Sequence, residues 1–371
     1  MTPTTGCGRL PEPFHCWIPR SISSKQTGFG IGRPRPRAED QGVRPQLSVI
    51  VPFHNVERYF AECLESIAGQ TFDDFEVVLV DDGSTDVSCE IASDFVQKDS
   101  RFRLICQRQA GVGAARNAGI RQARGHYLSF ADADDIVAGT AYEYLIGSLR
   151  RSGSEMACGG VQRFNSERTW PSSLHHGIFD EEAIGTHITR APELLGDRTV
   201  WNKVYRRSFW DRHGFRFPHH LMEDAPVAVP AHVLARGVDV LPSVVYFWRV
   251  RDDGPQSITQ RLFEPTVLAG RMMQVRTVAD FLAEYSLDLK KAYDVVALEH
   301  DVFILLVALP HIDETRRSEI LRFTESFLKD SAEGAVHKIG AENRRFYRLL
   351  AERRIPELIR LAKLKPYSTY L

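Results

Sequence analysis

The sequence predicts an α/β fold: a mostly parallel sheet with helices on both faces, followed by a C-terminal helical region. Three observations predict it. Four short apolar runs, each followed by an amphipathic or glycine-led stretch, succeed one another between residues 47 and 135. Polar and acidic residues recur where those runs end, the edge at which open sheets of this kind bind ligands. Beyond residue 261 the apolar spacing becomes helical almost throughout.

Residues 1–44 carry Pro, Gly, Ser and Arg without periodicity. Such a segment buries too little apolar surface to offset its ordering entropy, so a disordered tail is expected. Leu47-Ser48-Val49-Ile50-Val51-Pro52 is a β-branched run of the kind found in buried parallel strands. Asn55 is placed to cap a helix through Ala68, with Tyr59, Phe60, Leu64 and Ile67 on one stripe. A second strand, Phe75 to Val80, stops at Asp81-Asp82-Gly83-Ser84-Thr85-Asp86. There Gly83 permits a tight turn, and Ser84 or Asp86 can cap the next helix, marked by Ile91 and Phe95. A strand is expected at Phe102 to Cys106, a helix opening at Gly111 and running to Ala123, and a strand at Tyr127 to Phe130.

Between 157 and 245 the pattern is less regular. It holds an apolar run from Met156 to Val161, a loop around His175 and His176 expected to be solvated, and Glu223-Asp224 ahead of a helical stretch, Val227 to Ala235. Helices follow at Val267 to Tyr285, Leu289 to Leu309, Arg316 to Leu328 and Asn343 to Leu364, the last divided by Pro356. Three segments result: 1–44, 45–260 and 261–371.

A formal net charge of -1 argues against a globally basic nucleic-acid binder. No apolar run reaches the roughly 18 residues of a membrane span, and Val302 to Leu309 reads as a buried helix. The opening residues lack the pattern of a secretory signal, so a cytoplasmic location is expected. The six cysteines have no Cys-x-x-Cys spacing and read as reduced packing residues.

The apolar run Tyr127 to Phe130 ends in Asp132-Ala133-Asp134-Asp135. On extended backbone Asp132 and Asp134 point to similar sides, so their oxygens can converge on one hard divalent cation that keeps positions for substrate phosphates. Alternatively, Asp134 or Asp135 caps the helix that follows near Thr140. The other strand ends favour the ligand reading: Pro52 to Asn55 ends the first strand, and Asp81 and Asp82 the second. Gly111 to Arg116 gives G-x-G-x-x-R, close to a dinucleotide fingerprint, but Arg116 stands where the third glycine should permit close packing. Arg116 is free to face a phosphate or an internal carboxylate.

Four ordered motifs now stand in the sequence: Ser48 to Asn55, Val80 to Asp86, Gly111 to Gly119 with its Ala-Ala-Arg-Asn core, and Asp132 to Asp135. Together they resemble glycosyltransferase family 2. The resemblance continues through Trp201-Asn202-Lys203, Met222-Glu223-Asp224 and Tyr246 to Arg249, and closes at Gln256 to Thr259. It implies a GT-A fold over 45–260, a nucleotide-sugar donor and usually Mn or Mg; a UDP-type donor is expected, because a carboxylate at a strand end can accept from the imide N–H of uracil. By position, Pro52, His54 and Asn55 would border the nucleoside. Asp82, supported by Asp81, would accept from the base, and Arg116, Asn117 and Ala133 would lie near the donor. Asp132 would contact ribose or metal, and Asp134 would be the principal metal ligand. Two positions depart from the family: His54 where Tyr is frequent, and Gly113 where Ser is common.

Inverting transfer needs a base on the face of the sugar opposite the leaving diphosphate. The resemblance assigns that role to Asp224, with Glu223 beside it; read alone, the pair is a charged first helical turn. Trp201, Asn202, Lys203 and Arg249 are expected along the sugar or acceptor groove, Trp201 being equally suited to the core. Arg251 joins Arg249 as a candidate partner of the diphosphate once a loop closes. The acceptor implied is a glycan or lipid-linked hydroxyl. The basic, apolar-striped segment from Arg344 to Lys365 has two readings: peripheral contact with the inner face of the plasma membrane, or a helix docked on the fold. Two rival functions use the same features, a nucleotidyltransferase that releases pyrophosphate and a non-catalytic glycan-binding protein.

Overall fold

The computed structural model describes residues 44–365, so the expected tail and Cys7 and Cys16 lie outside the described residues. The first half runs β1 (Leu47–Phe53), α1 (Glu57–Ala68), β2 (Phe75–Asp81), α2 (Ser88–Lys98), β3 (Phe102–Cys106), α3 (Val112–Gln122) and β4 (Tyr127–Phe130). After β5 (Ile136–Val137) and α4 (Ala141–Ser152) come β6 (Met156–Phe164), β7 (Thr169–Pro171), β8 (Ala183–Thr186), β9 (Lys203–Arg206) and α5 (Arg207–His213). Then α6 (Ala225–Leu234) precedes the long β10 (Val238–Arg249). The order across the sheet is β3-β2-β1-β4-β9-β6-β10-β5, with β7 on β6 and β8 on β10.

The long ladders, β1 with β2 and β10 with β6, are parallel, as are β1 with β4 and β2 with β3. Antiparallel pairing is confined to short contacts, chiefly β9 between β4 and β6. Every residue of β1 and β2 is buried, as β-branched runs flanked on both sides require. Alternation then assigns the faces. Leu47, Val49 and Val51 pack with Phe60, Leu64 and Ile67 of α1, whereas Ile50 faces α3 on the other side. A Cβ on Gly119 would lie 2.5 Å from Ile50 Cγ2, so the close approach of helix to sheet is made there and not at Arg116. The chain passes from β1 to β2 to β3 in one direction and then places β4 on the far side of β1. That reversal opens a crevice at the carboxyl ends of β1 and β4.

The C-terminal helices are α7 (Pro265–Tyr285), α8 (Leu287–Glu299), α9 (Asp301–Ala308), α10 (Glu314–Asp330), α11 (Ala335–Lys338), α12 (Ala341–Ala351) and α13 (Ile355–Lys363). One expected helix, Leu289 to Leu309, is broken at His300, which frees Asp301 to pair with both Arg198 and Arg271. Pro356 sits in the first turn of α13, where its missing N–H leaves no helical bond unmade. A single apolar cluster extends from Ile50 and Phe130 to Leu358 and Ala362, so these helices share a core with one face of the sheet. Phe346, Leu350, Leu358 and Ala362 are buried in it while Arg345, Arg348, Arg360 and Lys363 remain exposed. The apolar stripe of α12 and α13 is therefore spent on the fold. No helix among the described residues is long and apolar enough to cross a membrane. Of the described cysteines, all free, Cys63 and Cys158 are buried, but Cys106 is exposed and does not serve packing as expected.

Candidate active site

The loop after β2 knits two helix starts together. Asp86 accepts from Glu57 N (3.1 Å) at the start of α1 and from Ser88 N (3.0 Å) at the start of α2. Asn55 is thus not the cap expected of it: it adopts φ 51°, and its Oδ1 accepts from Thr85 N at 2.8 Å. Asp81 accepts from Ser84 N (2.8 Å), closing the turn at Gly83. Asp82 accepts from Gln107 Nε2 (2.7 Å), Ala110 N (2.9 Å) and Gly111 N (2.8 Å), which fixes the loop leading into α3. Asp82 nevertheless lines the cavity with Pro52, His54 and Asn55. His54 Nε2 lies 3.1 Å from Gln109 Nε2, and its buried Nδ1 has no partner.

Arg116 is the hub of the site. It is 2% exposed, and from α3 its guanidinium donates to Asp132 Oδ1 (2.6 Å), to Asp224 Oδ1 (2.8 Å) and to Glu223. Of the two sequence readings, the internal carboxylate is the one realised. Met222 stands just before the acidic pair with φ 63°, a backbone region unfavourable for a residue with a Cβ, and the turn delivers both carboxylates to Arg116. Although Asp224 occupies the N-cap position of α6, its side chain makes no capping bond, so the pair is more than a charged first turn. Burial pushes Asp224 up to about 6, the Arg116 cation opposing and Glu223 reinforcing the rise. Asp132 is likewise raised to about 6, by burial first, with Arg116 opposing and Asp224 and Asp134 adding. Glu223 is raised by burial, and Arg116 is raised by the three carboxylates despite its own burial.

Beside this hub, Asp134 Oδ2 accepts from Arg251 Nε (2.8 Å) and Nη2 (2.7 Å). Arg251 faces the cavity, as expected, but Arg249 does not. Arg249 donates from Nε to Asp134 O (2.5 Å) and from Nη2 to Glu62 (2.5 Å), so it braces the acidic loop from behind and leaves the groove. Asp135 is buried, accepts from Arg249 N (2.7 Å) and is raised well above the usual carboxylate range by burial and by Asp134. It caps no helix; β5 follows it directly. A cation fits here on chemical grounds. Asp132 and Asp134 present hard carboxylate oxygens to the same cavity, and Asp132 Oδ2 and Asp134 Oδ1 are not engaged by the bonds to Arg116 and Arg251. Ala133 lies between them on the cavity wall.

Other expected site residues are placed elsewhere. Asn117 clamps the chain at Phe217, accepting from its N (3.0 Å) and donating to its O (2.8 Å), and does not line the cavity. Gly113 is required by the same approach, because a Cβ there would meet the Pro218 carbonyl oxygen. Asn202 and Lys203 are fully buried, so they cannot line a groove. Lys203 pairs with Asp197 (2.6 Å), which also accepts from Asn202 (3.1 Å), and His232 Nε2 lies 3.1 Å from Asp197. His175, expected in solvent, is 4% exposed between Ser172 and Thr199. Trp201 is both core and cavity wall, stacked on Tyr246 with centroids 4.2 Å apart. Tyr246 accepts from Asp132 N at 2.9 Å and so steadies the acidic loop.

The resulting cavity, about 900 Å³, runs from Pro52 and Asp82 past Asp134 and Asp224 to Arg163, Arg198 and the start of α9. Arg163 was missed by the sequence reading. Its signal was a lone Arg inside the apolar strand β6.

The family model for glycosyl transferase family 2 matches residues 48–214. The uncharacterized glycosyltransferase EpsJ of Bacillus subtilis is 30% identical over 269 residues, covering 71% of this chain and 77% of EpsJ. Glycosyltransferase GlyA of Streptococcus pneumoniae is 31% identical over 217 residues, covering 56% of this chain and 31% of GlyA. The fold is similar to that of S. aureus TarS 1-349 in complex with UDP, with a TM-score of 0.67 and 19% identity over 86% of this chain and 90% of that one. The motifs, the crevice between β1 and β4 and these relatives agree: the chain belongs to glycosyltransferase family 2 and is a glycosyltransferase of GT-A type.

Proposed function

We propose that the enzyme is an inverting, metal-dependent glycosyltransferase that moves a sugar from a UDP-type nucleotide-sugar to an acceptor hydroxyl, in surface polysaccharide or glycoconjugate synthesis. One observation carries the reading: Arg116 ties the donor-side Asp132 to Asp224 and Glu223 across one cavity. Asp224 is the base. In an in-line displacement the acceptor oxygen attacks the anomeric carbon, the bond to the diphosphate breaks, and the acceptor proton passes to the Asp224 carboxylate. A carboxyl raised to about 6 is ionised at neutral pH yet more basic than an ordinary Asp, which suits that transfer. The bond from Arg116 fixes where its oxygens point, and Glu223 shares that cation.

Asp134 and Asp132 would hold Mn or Mg, which neutralises charge developing on the leaving diphosphate. Arg251, resting on Asp134, is the residue that must give way as donor binds. Pro52, His54 and Asp82 border the base and ribose. The acceptor is a glycan or a lipid-linked hydroxyl. If it lies in a membrane on the cytoplasmic side, contact falls to the exposed arginines of α12 and α13, since their apolar stripe is buried.

Calorimetric titration with UDP and GDP, with and without Mn, tests the donor assignment. UDP affinity should rise with Mn in the wild type and in Asp224→Asn, and should not respond to Mn in Asp134→Ala. A Mn response that survives in Asp134→Ala refutes the metal assignment.

A further inference from the structure

Besides Asp132, Asp134, Glu223 and Asp224, with Arg116 and Arg251 beside them, the cavity is lined by a second group of cations, Arg163, Arg198 and Arg271, and by the acids Glu299, Asp301 and Glu342. Arg198 and Arg271 share one carboxylate, Asp301, so that pair of cations is only half neutralised. Arg163 has still less. Its residue is 5% exposed, yet among the described residues its guanidinium makes no ion pair and no hydrogen bond, and its Nε is sealed from solvent without a partner. What holds it is the face of Trp248, with the guanidinium carbon 4.0 Å from the ring centroid.

A buried cation with no acid bonded to it is unfavourable, and arginines in that state are normally paired. Burial pulls Arg163 down to about 10, with Asp135 opposing, which still leaves it charged at neutral pH. The wall here is therefore the guanidinium groups of Arg163 and Arg198 with the indoles of Trp201 and Trp248. This is an unpaired cation facing a cavity, set among flat apolar faces suited to a sugar ring.

The anion it awaits does not belong to the donor. The donor edge is formed at the ends of β1, β2 and β4, where Asp134 and Arg251 already face the cavity. Arg163 lies outside that edge, on β6 beyond the Met156–Cys158 stretch that pairs with β9, and opposite Trp248 of β10. We propose that Arg163, with Arg198, binds an anionic group, a phosphate or a carboxylate, carried by the acceptor beside its reacting hydroxyl. This rests on the reading above that donor and acceptor share the cavity, and it narrows the acceptor to anionic glycans or phosphate-bearing chains.

The test is calorimetric titration of methyl phosphate into the full chain saturated with UDP and Mg, at constant ionic strength. The wild type should bind it without displacing UDP. Arg163→Gln should bind it about tenfold or more weakly, and Arg163→Lys should recover part of the loss, because a charge-assisted hydrogen bond is removed in one and partly restored in the other. UDP affinity should be the same in all three. No binding to the UDP-saturated wild type overturns the proposal, even if Arg163→Gln fails to fold. Competition between methyl phosphate and UDP, or a tenfold loss of UDP affinity in Arg163→Gln, overturns it by assigning Arg163 to the donor diphosphate. Hydrolysis of UDP-sugars by the wild type is read separately. If it is absent, the assignment of the donor fails, whereas hydrolysis without methyl phosphate binding rejects the anion site alone.

Discussion

Replacing Arg116 by Met removes the cation bonded to Asp132, Glu223 and Asp224 while keeping an unbranched side chain on α3. Arg116 is 2% exposed, and the side chains of Glu223, Asp224 and Asp132 are 8%, 22% and 31% exposed, so water replaces little of what is lost. Breaking a buried pair by deleting one partner costs about 3–5 kcal/mol, and here three partners are orphaned together. The sign of the pH dependence follows from the carboxylates. Asp132 and Asp224 already sit at about 6, above their ordinary 3.8, and without Arg116 they and Glu223 rise further. The folded variant then holds protons that the unfolded chain releases, so its stability falls as pH rises through that interval. The expected result is a loss of about 3–5 kcal/mol near pH 8 that shrinks by about half near pH 5, read as the difference between variant and wild type in urea unfolding. A loss below about 1 kcal/mol, or one of equal size at both pH values, would show that Arg116 is an ordinary surface-like pair and not the hub.

Three further outcomes are expected. Turnover of donor and acceptor should fall on acidification with a midpoint near 6, as Asp224 takes up a proton; a midpoint at the ordinary 3.8 would separate the base from the buried hub. Lys203→Met should destabilise the fold by about 3–5 kcal/mol in urea, because Asp197 loses its cation in the interior, yet leave UDP affinity unchanged, and a selective loss of UDP affinity would return Lys203 to the groove. Gly113→Ser, the family's commoner residue, should destabilise by about 1–3 kcal/mol through contact with Pro218, and a neutral or stabilising effect would show that the 217–218 segment yields easily.

Much of the donor half is legible in the sequence. The strands β1 to β4 are short, largely apolar runs, so their bounds emerge within a residue, and the carboxylates that follow β2 and β4 mark the ligand edge even though Asp81 and Asp82 also hold the turn and the loop into α3. Context favouring a ligand over a helix cap for the acidic run comes from the other strand ends, and in the structure the helix near Thr140, α4, has no side-chain cap at all, while Asp86 takes over the capping expected of Asn55. What the sequence does not display is pairing across distance. Arg116 and Glu223 are more than a hundred positions apart and meet only because Met222 enters a left-handed turn. Asn202 and Lys203 read as groove residues because polar side chains after a Trp suggest a ligand. Their burial depends on Asp197 and His232, which come from separate loops and helices. Asn117 misleads in the same way, its amide matching a backbone segment as well as it would match a nucleotide. Arg163 is silent in sequence because an arginine in a strand ordinarily faces water, and only the closed sheet shows that this one does not.

The most direct measurement is product release from a panel of nucleotide-sugars by the wild type and by Asp224→Asn. A nucleoside diphosphate, with the anomeric configuration of the transferred sugar inverted, should appear with the wild type. Asp224→Asn should bind the donor as tightly and transfer at least about a hundredfold more slowly, the scale of a lost general base. Release of pyrophosphate, retention of configuration, or near-normal transfer by Asp224→Asn would contradict the assignment of this cavity.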